Sequence, residues 1–129
     1  MLSSPKKRIL LGVTDTARSI VFYKALLGEG PASRSRRSAV FDLDSPPVVL
    51  TIELRVRVAA PEERYDLLVE DPRRVGHTAV ALRRAGVKLR LADEGIEAVD
   101  PDGHAWRVRL APAGAGRAVV APRDGGAER

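Results

Sequence analysis

The sequence contains no cysteine, and this absence excludes several kinds of chemistry at once. Disulfides, thiolate nucleophiles, iron–sulfur clusters and cysteine zinc sites all depend on sulfur from this residue. Histidine is nearly as scarce, since only His77 and His104 are present. A metal site built from three histidines therefore cannot form within one chain.

Aromatic residues are scarce, and long apolar runs are absent. Aromatics make up 4% of the chain, and its 22 lysines and arginines are dispersed, whereas nucleic-acid-binding proteins commonly combine clustered basic residues with stacking rings. We therefore expect no nucleic-acid partner, although the formal net charge of +5 favours anions in general. No apolar run approaches the roughly 20 residues of a membrane span, and no signal-peptide pattern follows the N-terminus. We expect a cytoplasmic protein that does not bind membranes.

The 129 residues that are present suit one domain or two half-domain repeats around a shared core. Hydrophobic periodicity predicts one order of elements twice, a strand, a helix and then two or three strands. In the first half we predict strands at 8–13, 39–43 and 48–54, a short strand near 32–35, and a helix at 16–27 that Gly28 ends. In the second half we predict strands at 65–69, 87–91, 95–99 and 104–110, and a helix that begins at Pro72 and ends at Gly86.

These patterns define the predicted domain organisation. A single domain covers 1–111, with module one at about 7–56 and module two at about 63–111. Residues 112–129 are mainly Ala, Gly, Pro and Arg without periodicity, which predicts a flexible tail.

Three segments resemble the vicinal oxygen chelate superfamily, which includes glyoxalases, bleomycin-resistance proteins and extradiol dioxygenases. They are L-G-V-T-D-T-A-R-S-I-V-F-Y-K-A-L-L-G at 11–28, A-L-R-R-A-G-V at 81–87 and D-P-D-G-H-A-W at 100–106. The resemblance implies an α+β fold of two tandem βαβββ modules, whose curved mixed sheets enclose a cavity. It also implies a homodimer, because family members of this length usually pair.

The same resemblance locates the positions where the superfamily commonly binds a divalent metal. These lie on the first strand of each module and on the last strand, and here they hold Arg8, Arg64 and Arg107. A guanidinium has no free lone pair and stays protonated, so it repels a cation rather than binding it. We therefore predict no metal and no cofactor at this site.

Strand alternation extends this set, because side chains two residues apart point to the same face of a sheet. The side chains predicted to line the cavity are Arg8, Thr51, Glu53, Arg64, Asp66, Arg107 and Arg109. One interpretation is a binding site for an anionic small molecule, held by forked guanidinium donors. The other is a network of ion pairs in which Glu53 and Asp66 neutralise neighbouring arginines.

Three functions follow from these residues and the resemblance. The first is a small-molecule binding or sequestration protein of the glyoxalase/bleomycin-resistance type that lacks the family metal site and takes an anionic ligand. The second is a metal-dependent lyase or dioxygenase with a relocated site, in which Glu53 and Asp66 act as bases or, with His104, as ligands. The third is a non-catalytic dimeric interaction module. No catalytic residue is assigned, and we expect Trp106 to lie in the core.

Overall fold

The computed structural model describes residues 6–44, 47–59, 64–92, 95–111 and 120–122. The first module consists of β1 (Lys7–Val13), α1 (Thr16–Leu27), β2 (Ser33–Arg34), β3 (Ser38–Asp44) and β4 (Pro47–Leu54). The second module consists of β5 (Arg64–Val69), α2 (Pro72–Arg84), β6 (Arg90–Ala92), β7 (Gly95–Val99) and β8 (Ala105–Leu110). The chain is therefore α+β with two tandem βαβββ modules, as the sequence predicts.

Each module forms its own mixed sheet. The first sheet has the strand order β1-β4-β3-β2, and the second has the order β6-β7-β8-β5 with one further strand beside β5. In both sheets the first strand of the module pairs in parallel with the last, and the other pairs within the module are antiparallel. The two halves of the sequence thus give the same strand arrangement twice.

The further strand is β9 (Val120–Pro122), which pairs antiparallel with β5. It lies inside the segment 112–129, for which the sequence predicts a flexible tail, and at these three residues the structure differs from that prediction. The free edge of β5 supplies unpaired backbone groups, and β9 satisfies them. The rest of that segment lies outside the described residues.

Both helices begin and end where local chemistry requires it. The side chain of Asp15 accepts a hydrogen bond from the backbone N–H of Arg18 at 3.1 Å, which caps α1. At the other end Gly28 adopts a left-handed φ of 84° and donates its N–H to the carbonyl of Lys24. Asp71 caps α2 in the same way, and Pro72 occupies its first turn.

The residues after α2 correct one predicted strand. The sequence predicts a strand at 87–91, but the structure begins β6 at Arg90. Gly86 has a φ of 84°, and the N–H of Val87 returns to the carbonyl of Leu82 at 3.0 Å. The segment therefore completes the end of the helix, while Val87 and Leu89 pack against the core.

The core fills the space between the helices and one side of each sheet. Ile9, Leu11 and Val13 are buried on β1, whereas the alternate residues Arg8 and Leu10 are exposed. The core is one cluster that includes residues of both modules, and Trp106 lies in it as predicted. None of the helices in the described ranges is long and apolar enough to cross a membrane.

We call the side of each sheet that faces away from this core its open face. The open face of the first sheet carries Arg8, Leu10, Gly12, Val40, Asp42, Val49, Thr51 and Glu53. The open face of the second sheet carries Arg64, Asp66, Leu68, Arg90, Gly95, Glu97, Val99, Ala105, Arg107 and Arg109. All seven predicted binding residues lie on these two faces.

Candidate functional site

A row of alternating charge crosses the open face of the second sheet. The register places Arg90 beside Glu97, Glu97 beside Arg107, and Arg107 beside Asp66, on the neighbouring strands β6, β7, β8 and β5. Cross-strand neighbours of opposite charge stabilise a sheet. Arg90 and Glu97 are absent from the predicted set, although extending the alternation to β6 and β7 identifies both.

Asp66 lies at the β5 end of this row and binds two arginines. Arg107 binds it with two hydrogen bonds, Nε to Oδ1 at 3.2 Å and Nη2 to Oδ2 at 3.0 Å, and Arg109 Nε lies 3.4 Å from Oδ2. The side chain of Asp66 is only 8% exposed. A buried carboxylate held by two guanidinium groups has little capacity left to serve as a base or a metal ligand. For these three residues the structure favours the ion-pair interpretation.

The open face of the first sheet is less charged. Glu53 on β4 forms an ion pair with Arg55, just beyond the end of this strand, with 2.5 Å between Oε1 and Nη2. Thr51 is half-buried between Leu10 on β1 and Val40 on β3. Within the described ranges the Thr51 hydroxyl makes no hydrogen bond, so it remains available to a ligand.

Arg8 and Arg64 differ from the other predicted arginines. Both side chains are exposed, and neither forms an ion pair or a hydrogen bond with the part of the chain that the structure describes. They occupy different sheets, Arg8 on β1 and Arg64 at the start of β5. The structure thus groups Arg64 with Asp66, Arg107 and Arg109, and it places Arg8 with Thr51 and Glu53.

The metal-ligand positions implied by the resemblance do not fit a divalent cation. Arg8, Arg64 and Arg107 occupy them, and Arg107 is already committed to Asp66. Across the described ranges no three residues among His, Asp and Glu come close enough to hold a metal ion. Glu53, Asp66 and His104, which the sequence allows as an alternative ligand set, are therefore not brought together.

A buried polar network surrounds Asp100 next to the core, and sequence reasoning missed it. Asp100 accepts hydrogen bonds from the Tyr23 hydroxyl at 2.6 Å and from the backbone N–H groups of Asp102 and His104 at 2.9 and 2.8 Å. Trp106 Nε1 donates to the Tyr23 hydroxyl at 3.1 Å. Burial, with the neighbouring Asp100 carboxylate, raises the pKa of Tyr23 well above its ordinary value of 10.0. Tyr23 is a neutral hydrogen-bond donor at physiological pH.

This network joins the two modules. His104 Nε2 lies 2.9 Å from the carbonyl oxygen of Gly12 on β1, and Asp102 accepts hydrogen bonds from the Thr14 hydroxyl at 2.6 Å and its backbone N–H at 3.0 Å. Between the two helices, Arg74 Nη2 donates to the carbonyl of Leu27 at 3.1 Å. The D-P-D-G-H segment therefore acts as a structural link, and that role accounts for the buried position of His104.

Comparisons with known proteins agree with the paired modules. No family model matches the sequence. A trivalent organoarsenical cleaving enzyme from Thermomonospora curvata is 29% identical over 136 residues, which cover 92% of this chain and 90% of the relative. A glyoxalase-related enzyme from Fulvimarina pelagi matches with a TM-score of 0.64 and 25% identity, over 88% of this chain and 94% of that one. The fosfomycin resistance protein FosX from Mesorhizobium loti matches in fold with a TM-score of 0.66 and 15% identity, over 88% and 96%.

The two βαβββ modules and these likenesses show the fold of glyoxalase/bleomycin-resistance proteins. The chain therefore resembles the vicinal oxygen chelate superfamily in fold as well as in its motif segments. The fold leaves the activity open, because this architecture supports different chemistries that depend on the residues of the site.

Proposed function

We propose that the protein binds or sequesters an anionic small molecule without the family metal. The observation that carries the proposal is the presence of arginine at all three positions where the resemblance implies metal ligands. A site that would attract a cation in a relative therefore attracts an anion here. Arg8, Thr51, Glu53, Arg64, Asp66, Arg107 and Arg109 are the residues proposed to form it.

The charge of the second open face supports an anionic ligand. Four arginines lie there with only two carboxylates, Asp66 and Glu97. Asp66 is shared between Arg107 and Arg109, and Arg64 is exposed. Guanidinium groups at such a surface can bind carboxylate or phosphate with two parallel hydrogen bonds. Thr51 adds a hydroxyl group on the first open face.

A second copy of the chain would complete the site. Arg8 and Arg64 belong to different sheets, and Leu10 on the first open face is 60% exposed. We therefore propose a homodimer in which the open faces of two copies approach each other, as the resemblance implies. Such contact would cover Leu10 and bring arginines of both faces to one ligand.

The enzymatic alternative receives less support from these residues. The relative from Thermomonospora curvata is named for cleaving trivalent organoarsenicals. Trivalent arsenic is a soft centre that prefers thiolate ligands, and the 129 residues include no cysteine. The arginines at the implied ligand positions also lack lone pairs. We infer that this chain does not use the metal chemistry that the resemblance implies.

Elemental analysis and thermal shift measurements on the same preparation test the proposal. The protein is purified without chelator or added metal and titrated with inorganic phosphate and small dicarboxylates. We expect no stoichiometric metal and a melting temperature that rises with anion concentration. Arg64→Gln should reduce this rise, whereas Arg83→Gln, on the exposed side of α2, should leave it unchanged. Stoichiometric metal would overturn the proposal. Absence of both metal and shift would instead favour the non-catalytic dimeric interaction module.

A further inference from the structure

A cleft of about 680 Å³ lies beside the second sheet, where it includes Arg90 and Glu97 at one end of the charged row but neither Arg107 nor Asp66. Its walls come from α1, from the segment after α2, and from residues of β5, β6, β7 and β8, so both modules contribute. Known small-molecule sites occupy about 300–1,000 Å³, and this cleft falls within that range. Of the seven residues proposed for the open faces, only Arg64 reaches it.

The cleft is strongly basic. Arg18, Arg64, Lys88 and Arg90 line it, against the single carboxylate of Glu97. None of the four basic side chains forms a hydrogen bond or an ion pair with any residue in the described ranges, in contrast to Arg107 and Arg109. A recess in which four basic side chains face one carboxylate concentrates anions more strongly than an open surface does.

The same cleft has an apolar part. Phe22 and Ala98 are buried at 2% and 3% exposure, while Val21 and Val99 are large side chains left 53% and 54% exposed. Val21 lies on the solvent side of α1, one turn after Arg18. Val99 lies at the end of β7, beyond the last residue that pairs with β6. Apolar side chains exposed beside basic ones fit a ligand that has both an apolar body and an anionic group.

We propose that this cleft binds an amphipathic organic anion, with the anionic group among Arg18, Lys88 and Arg90 and the apolar body against Val21 and Val99. The cleft adjoins the second open face, to which Arg64, Arg90 and Val99 also belong. Arg18, Val21 and Lys88 lie outside both open faces, so substitutions at these residues test the cleft independently of the anion site proposed there.

The test uses 2-naphthoate as the probe and 2-naphthalenemethanol as its neutral counterpart, titrated into the full-length protein labelled with ¹⁵N. We expect naphthoate to shift the amide signals of Val87, Ala98 and Val99, and the alcohol to bind about tenfold more weakly because it lacks the charge. Equal affinity for the two probes, or shifts confined to Asp66, Arg107 and Arg109, would overturn the proposal.

Variants separate the cleft from the open faces. The double variant Arg18→Gln with Lys88→Gln removes two exposed charges without altering the core, and we expect about tenfold weaker naphthoate binding. Arg36→Gln, in the loop between β2 and β3, removes one positive charge elsewhere and should change nothing. Arg8→Gln should weaken phosphate binding to the open faces and leave naphthoate affinity intact. Unchanged naphthoate affinity in the double variant would show that the cleft is not the binding site.

Discussion

The two modules repeat one order of elements but bury their helices to different extents. α1 buries seven of its twelve residues, whereas α2 buries only Thr78 and Leu82 of its thirteen. α1 also reaches the second module, since the ring of Tyr23 lies 5.9 Å from that of Trp106. The first module therefore contributes more residues to the shared core. Burial of apolar surface is the main source of stability, so α1 should be held more firmly than α2. We expect α2 to be the less stable helix.

The open faces differ in chemistry as well. Leu10, Val40, Val49 and Thr51 form the centre of the first face, while alternating charges cross the second. The same backbone arrangement thus presents an apolar surface in one module and an ionic surface in the other. Strand order determines which residues share a face, and the residue types decide what that face can bind.

The largest expected effect comes from breaking the link between the modules. Asp100→Ala removes the acceptor for three hydrogen bonds and leaves the buried Tyr23 hydroxyl without an acceptor for its proton. We expect a loss of about 3–5 kcal/mol in the free energy of unfolding, measured by urea denaturation.

Asp102→Ala is the matched control. It removes hydrogen bonds to Thr14 that are exposed to solvent, and the expected loss is about 1 kcal/mol. Equal losses for the two variants would mean that burial of the Asp100 network does not strengthen the contact between the modules.

The next prediction compares how much one polar side chain on each open face contributes to the free energy of unfolding. Asp66→Asn removes the charge that Arg107 and Arg109 share, and we expect a loss of about 1.5–3 kcal/mol in the free energy of unfolding. Thr51→Val on the first face removes only a hydroxyl group without a described partner, and the loss should stay below about 0.5 kcal/mol.

The variant Asp66→Asn also tests the proposed binding of anions. Releasing two arginines from Asp66 should strengthen phosphate binding even as the fold loses stability. A thermal shift titration of Asp66→Asn measures both quantities, as the starting melting temperature and its dependence on phosphate. Weaker phosphate binding in this variant would show that Asp66 helps to hold the ligand rather than competing with it.

The sequence predicts the strand faces because side chains alternate with a period of two. That rule places Arg8, Arg64 and Arg107 on the open faces, and the buried residues Ile9, Tyr65 and Trp106 between them confirm the register. The local caps Asp15 and Gly28 fix the bounds of α1 equally well.

The contacts between distant segments are harder to predict. Asp66 and Arg107 are 41 residues apart, and their pairing depends on the parallel register of β5 with β8. The hydrogen bond between Tyr23 and Asp100 spans 77 residues. The cleft requires α1 and β7 to approach from different modules. Such relations follow from tertiary packing, for which local patterns hold no signal.

A smaller effect in the opposite direction tests the lower stability of α2. Gly76 lies exposed inside α2, and a Cβ added there would meet no atom within 4 Å. Alanine favours helix more than glycine does, so we expect Gly76→Ala to raise the free energy of unfolding by about 0.5–1 kcal/mol. Hydrogen exchange should show slower exchange of the α2 amides in this variant while those of α1 change less.

The smallest expected effect concerns the charge at the start of α2. Hydrogen bonds from the side chain and then the backbone N–H of Arg73 hold the pKa of Asp71 below its ordinary value of 3.8. A carboxyl group whose pKa is lower in the folded state stabilises the fold above the unfolded pKa and loses that contribution as pH falls through the folded pKa. Asp71→Asn retains a capping oxygen but not the charge. Between pH 6 and pH 3, the urea midpoint of the native protein should therefore fall more than the urea midpoint of Asp71→Asn. The difference between the two decreases should be small, because both Asp71 and Arg73 are exposed. Arg73→Gln should remove most of this difference. If the urea midpoints of the native protein and of Asp71→Asn decline in parallel, the ion pair contributes nothing to the stability of α2.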